Sequence, residues 1–134
     1  MNEEGRMEGK GKTETVEKTY DLRKRTKEFA LQVINLCLVL PKNLQVQIIG
    51  KQVMRSGTSV GANYREGFRA RSPQEFISKL GTCLQELEET TYWIELLEEG
   101  RMVPSEKLTD VKKEADELTA IFVSSIKTMK AKAS

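Results

Sequence analysis

Three prolines, Pro41, Pro73 and Pro104, cut this chain of 134 residues into four segments, and each segment carries apolar residues at helical spacing. Proline interrupts or opens a helix because it lacks an N–H and its ring clashes with the preceding turn. In the first segment Thr26, Phe29, Val33, Leu36 and Leu40 step by three and four, which is one face of a helix. The spacing recurs in Ile49, Val53, Ser56, Val60, Asn63 and Gly67. It recurs again in Phe76, Leu80, Cys83, Leu87, Thr90, Ile94 and Leu97, and in Leu108, Val111, Ala115, Leu118, Phe122, Ser125 and Met129. No segment alternates with the period of two that a half-buried strand needs. Four helices of about 20 residues with short connectors predict an all-α, antiparallel up-down-up-down four-helix bundle.

Local signals set the expected boundaries. Helix 1 is expected from near Asp21, an acceptable N-cap, to Leu40, and helix 2 from about Leu44 to Gly67. Ser72 as N-cap, Pro73 in the first turn and Glu75 in a capping box open helix 3, and Gly100 stops it after Glu99. Ser105 is expected to cap helix 4. Residues 1–19 have little apolar content and no period, so a flexible arm is expected there, with a bundle over 20–130 and a frayed tail over 131–134.

Two helices carry more than a core stripe. Helix 1 has a second apolar row, Leu31, Ile34 and Leu38, beside Ala30, Cys37 and Val39. One stripe suffices for a helix in a monomeric bundle. A second predicts cover from another subunit, so Leu31, Ile34 and Leu38 are the candidate oligomer interface. Helix 2 contains Ser56-Gly57-Thr58-Ser59-Val60-Gly61-Ala62-Asn63, where each glycine costs roughly 1 kcal/mol of helix propensity relative to alanine. Its helicity must come from tertiary packing, with small side chains admitting a neighbour closely. Arg55, Ser56, Ser59, Asn63 and Glu66 are expected to bond to Lys79, Glu86 and Glu89 of helix 3, as an inter-helix polar network.

The chain has no histidine. That removes Ser-His-Asp and Cys-His nucleophilic chemistry, His-ligated zinc, and the Glu-x-x-His pattern of di-iron bundles. Glu66, Glu86 and Glu89 are the carboxylates best placed for chemistry, and without histidine they are expected to pair with cations rather than hold a metal. No enzyme, cofactor or metal is expected. Cys37 and Cys83 lie inside apolar patterns and are expected to be buried thiols, not a disulfide. The longest apolar run, Leu36 to Leu40, is five residues, far short of the ~20 that span a bilayer. The N-terminal stretch lacks the apolar region of a signal peptide. A cytoplasmic location without a membrane partner is expected.

Charge is uneven. Residues 21–71 carry ten bases and three acids, while 72–134 carry eight bases and twelve acids. This asymmetry suits nucleic-acid binding, and it equally suits complementary packing between helices or subunits. Arg23, Lys24, Arg25 and Lys27 open helix 1; Arg65, Arg69 and Arg71 close helix 2. In an antiparallel hairpin these clusters meet at one end as a basic patch, the candidate nucleic-acid-binding surface. Tyr20, Tyr64 and Phe68 fall nearby as stacking platforms for bases. In a ring-shaped oligomer the patch would repeat and gain avidity for a polyanion.

The stretch from Arg55 to Leu97 also carries a resemblance. Arg55, Ser56-x-x-Ser59-x-x-x-Asn63-x-x-Glu66-Gly67, Ser72, Glu75-Phe76 with Lys79, and the Glu86-to-Trp93 stretch resemble the four-helix-bundle family of proteins encoded in intervening sequences of bacterial 23S ribosomal RNA genes. Tyr20-Asp21-Leu22 also fits, and the resemblance spans roughly residues 20–129. It implies a homo-oligomer, a ring of five, with a link to RNA or ribosomal RNA. A distant relative in this fold group is the accessory variability protein of diversity-generating retroelements. That relation implies an alternative role, as a scaffold partnering a reverse transcriptase.

Overall fold

The computed structural model describes residues 10–133, with side chains from Leu22 onward. It is an all-α four-helix bundle: α1 (Lys10–Leu38), α2 (Leu44–Gly67), α3 (Pro73–Glu99) and α4 (Ser105–Ala133). No strand occurs among the described residues. The starts of α2 and α3 lie where their caps predict. The Asn43 side chain accepts the Val46 N–H at 3.0 Å. Ser72 Oγ accepts the Glu75 N–H at 3.1 Å, with Pro73 in the first turn. The Glu75 carboxylate reaches back to the Arg71 N–H, one residue beyond the usual partner in a capping box.

Four boundaries differ from expectation. α1 begins at Lys10, so Asp21 lies inside the helix rather than capping it. Residues 10–19 are helical and not part of an arm; once a packed helix is nucleated, adding turns costs little. The rest of the expected arm, residues 1–9, lies outside the described residues, as does Ser134. α1 stops at Leu38, and Val39 and Leu40 curl into a turn, with the Val39 N–H on the Leu36 carbonyl at 3.1 Å. α4 continues to Ala133, so residues 131–133 belong to the helix rather than to a frayed tail, and Ser105 is its first residue rather than a cap before it.

The glycine expected to end α3 does so indirectly. Gly100 keeps a right-handed helical conformation (φ −77°), and Arg101 takes the left-handed one (φ 58°). The Arg101 N–H bonds to Glu98 O and the Met102 N–H to Leu97 O, each at 3.0 Å. That pair of bonds is the Schellman motif, with arginine where glycine is usual. Gly100 is required for space, since a Cβ there would sit 2.8 Å from the Leu96 carbonyl oxygen.

Pairwise registers show that neighbouring helices run in opposite directions. Gly61, Gly57 and Gly50 of α2 oppose Thr26, Val33 and Leu40. Ser56, Val60 and Gly67 oppose Thr90, Cys83 and Phe76 of α3. Lys112 of α4 reaches Glu98, near the end of α3, whereas Phe122 rests on Tyr64, near the end of α2. α1 closes the square against α4 through Arg25 and Glu114.

The core holds Phe29, Val33, Val53, Val60, Leu87, Ile94, Leu97, Leu108, Leu118 and Phe122, all fully buried. Burying one such side chain is worth about 1.5–3 kcal/mol. Two departures from the expected ladders matter below. Asn63 is only half-buried, while Tyr64 is 2% exposed and belongs to the core. Val53, Ser56, Val60 and Gly67 are buried as expected, and the buried face of α2 is wider than the expected ladder, because Gly57 and Gly61 also press on α1 and Gly50 on Leu40 just beyond its end. Cys83 is fully buried, Cys37 is half-buried, and both are free thiols.

Candidate nucleic-acid interface

The end of α2 and the matching turns of α1 form one basic surface. α2 finishes at Gly67, where a Cβ would come within 3.1 Å of the Phe76 ring, so the chain folds tightly back into α3. Phe68 caps the helix with its N–H on Arg65 O at 3.1 Å, and Arg69 N–H follows onto Glu66 O at 3.0 Å. This tight exit turns Phe68, Arg69 and Arg71 outward beside the exposed Arg65. Arg23 of α1 lies across from them, its guanidinium 5.3 Å from the centre of the Phe68 ring. Lys24 and Lys27 are exposed on neighbouring turns of α1. None of Arg23, Lys24, Lys27, Arg65, Arg69 and Arg71 forms an ion pair among the described residues.

Two expectations for this end are corrected. Arg25 faces α4, not the patch: its Nε and Nη2 donate to Glu114 at 3.0 and 2.8 Å, and Nη2 also reaches Glu117 at 2.9 Å. The charge-assisted bonds to two carboxylates fix the direction of the guanidinium toward α4. Tyr64 is buried and cannot receive a base, whereas Phe68 is 43% exposed. The Tyr20 side chain lies outside the described residues. Conversely, Lys127, Lys130 and Lys132 were overlooked. Phe122 sits beside Tyr64, so the last turns of α4 carry these exposed lysines to the basic end. The bundle topology was the available signal, because it puts the end of helix 4 beside the start of helix 1.

The expected polar network joins α2 to α3 at two levels. At one, Arg55 donates to Glu86 at 3.4 Å and to Glu89, which also accepts Trp93 Nε1–H at 3.2 Å. The Arg55 guanidinium, helped by the Trp93 N–H, holds the Glu89 carboxyl below the usual carboxylate range, and the hydrogen bond to Glu89 in turn raises Arg55. At the other, Lys79 Nζ donates to Glu66 at 2.6 Å and to Asn63 Oδ1 at 3.3 Å. Between them Thr90 Oγ1 donates to Ser56 Oγ at 2.7 Å, and Ser56 donates on to Gln52 O at 2.9 Å. Ser59 is the exception: its hydroxyl donates to Arg55 O in its own helix at 2.7 Å and does not cross to α3. Spacing placed Ser59 on the right side of α2, but a serine inside a helix satisfies itself on the carbonyl four residues back.

Around the α1–α2 turn the surface is apolar. Leu31, Leu38, Val39, Leu44, Ile48 and Met54 are all exposed, with Leu38 at 71%, and Ile34 is half-buried among them. Elsewhere, a cleft of about 540 Å³ lies between α1 and α4, lined by Arg25, Gln32, Asp110, Lys113, Glu114 and Glu117 among others. Within it Arg25 pairs with Glu114 and Glu117. Among the described residues no cluster of three His, Cys, Asp or Glu side chains is arranged to hold a metal ion. No described helix is long and apolar enough to cross a membrane.

The family model for the 23S rRNA-intervening sequence protein matches residues 18–124, which takes in all of α2 and α3 and most of α1 and α4. The chain belongs to this family. A crystal structure at 1.70 Å of a Bacteroides thetaiotaomicron protein of unknown function, from the S23 ribosomal protein family, superposes with a TM-score of 0.76. The two sequences are 35% identical over 82% of this chain and 98% of that one. Among curated proteins, none is similar. In this chain, most polar positions that carry the resemblance form the bonds between α2 and α3, as Arg55, Ser56, Asn63, Glu66, Lys79, Glu86 and Glu89 do. Those residues therefore have a structural occupation, and the basic end is a surface whose cations form no ion pair among the described residues.

Proposed function

We propose that this 23S rRNA-intervening sequence protein is a non-catalytic, self-associating bundle that binds RNA or a ribonucleoprotein through its basic end. The observation that carries the reading is the set of six cations around Phe68, none of whose side chains forms an ion pair among the described residues; of the carboxylates in the same stretch, Glu66 is taken by Lys79 and Glu75 by the Arg71 backbone N–H. A charged surface that merely solvates a bundle mixes its signs, as the α1–α4 cleft does. A same-sign cluster is costly through self-repulsion, and phosphates relieve that cost by displacing counterions. Self-association is supported by the exposed apolar row of α1, which continues onto α2. Monomeric soluble proteins rarely expose large contiguous patches of this kind. The ring of five implied by the family resemblance would present the basic ends together, and avidity would compensate for weak single contacts.

The test is RNA affinity as a function of salt. Each phosphate neutralised contributes about −0.9 to the log–log slope for a duplex and about −0.7 for a single strand. Charge reversal at Arg65, Arg69 and Arg71 is expected to abolish binding while the helical content and melting temperature stay within error. A flat salt slope, or full binding by the reversed variant, would reject the basic end as the contact surface.

A further inference from the structure

Resting on the RNA reading, we propose that the basic end recognises unpaired nucleotides, with Phe68 as the platform on which one base stacks. Four aromatic rings climb from the core to this surface. Phe122 is fully buried and meets Tyr64 edge-on at 5.8 Å, with the planes at 85°. Tyr64 meets Phe68 edge-on at 5.1 Å and 80°, and Phe68 leans on Phe76 at 6.3 Å. The inner rings thus brace a ring that is itself 43% open to solvent. A braced ring loses little rotamer freedom when a ligand lands on it, so more of the stacking energy is realised as affinity.

The occupant already on that ring indicates its chemistry. The Arg23 guanidinium, a flat delocalised cation, lies 5.3 Å from the ring centre. A nucleobase has the same flat shape and can share the ring with the guanidinium, which also stacks on bases. Arg69 and Arg71 follow Phe68 directly, and Arg65 precedes it by one turn, so the phosphates flanking a stacked base have cations on both sides. A continuous duplex would gain only the phosphate contacts. Its bases are already stacked on each other, and the A-form major groove is too deep and narrow for a side chain on this blunt end to read. The geometry therefore favours loops, bulges or ends over helical stems.

The experiment compares a labelled hairpin RNA bearing an unpaired loop with a fully paired RNA duplex of equal phosphate number, titrated with the full chain. The looped RNA is expected to bind tighter by about tenfold, the worth of one base–aromatic stack. Phe68→Ala should remove that preference and leave both duplex affinity and salt slope unchanged, while Phe68→Tyr restores the preference. Arg69→Glu with Arg71→Glu should weaken both RNAs alike. Equal binding of loop and duplex by the wild type, or a Phe68→Ala variant with the preference intact, would overturn the stacking platform and leave the phosphate-binding reading standing. Failure of both RNAs to bind would overturn that reading and the platform with it. Melting curves of each variant separate lost contact from lost fold.

Discussion

Arg101 holds a left-handed backbone (φ 58°), which L side chains adopt at a cost of roughly 1–2 kcal/mol. The residue is exposed and its side chain has no bond to lose among the described residues. Arg101→Gly is therefore expected to raise stability by about 1 kcal/mol, read as a higher urea midpoint with an unchanged slope. The two thiols separate in the same direct way. Burial pushes the Cys83 thiol up to about 12, and its Sγ–H points at Val60 O at 3.5 Å. Burial also raises Cys37, which is half-buried beside Gly50 O. A raised acid pKa favours the neutral form, so Cys83 stabilises the fold below the ordinary thiol value of 9.0 and loses that contribution as pH climbs toward 12. Iodoacetamide at mildly alkaline pH is expected to modify Cys37 in the folded protein and Cys83 only in denaturant. Equal modification of both in the folded protein, read by peptide mass, would contradict the burial of Cys83.

At the scale of the helix, α2 trades its own propensity for closeness. A Cβ on Gly57 would lie 2.8 Å from Val33 Cγ2, and Val33 is a fully buried β-branched residue with nowhere to turn. Gly57→Ala is expected to destabilise by about 1–3 kcal/mol, even though alanine is the better helix former. Gly81 of α3 is the matched control, because nothing lies within 4 Å of its Cβ position. Gly81→Ala should stabilise by up to about 1 kcal/mol. Denaturant titrations giving the same sign for both substitutions would show that propensity, not the α1–α2 approach, decides at Gly57. The same closeness accounts for the hydroxyl pair. Ser56 is small and fully buried, and it meets the buried Thr90 across the α2–α3 interface, with the Gln52 and Glu86 carbonyls as further acceptors for the two hydroxyls.

The whole molecule is divided by charge and by polarity. The α1–α2 turn is ringed by exposed apolar residues, the opposite end by cations, and α3 and α4 carry most of the acids. If the apolar row is a subunit contact, Leu31→Glu with Leu38→Glu should lower the mass seen by light scattering to that of one chain, with the helical signal retained. Both residues are more than half exposed, so neither substitution opens a cavity in the bundle. A wild-type protein that scatters as a single chain at micromolar concentration would defeat the assembly reading outright.

Periodicity and punctuation in the sequence were enough for the number of helices, the bounds of α2 and α3, and the polar pairing of Arg55 and Lys79 across them. These depend on spacing, and spacing is a property of the chain alone. The helical extension back to Lys10 was not legible, because residues 10–19 carry no apolar stripe. The roles of Arg25, Tyr64 and Ser59 were not legible either. Only Ser59 lies on the side of its helix that spacing assigned; the fate of each depended on what stood opposite: two α4 carboxylates, a buried phenylalanine, or a carbonyl one turn back. Amphipathic spacing says which side of a helix is buried, but only the docked neighbour supplies the partner that makes a given charge or ring bound, buried or available. The same holds for Phe68, whose exposure is set by how tightly α2 turns at Gly67 against Phe76.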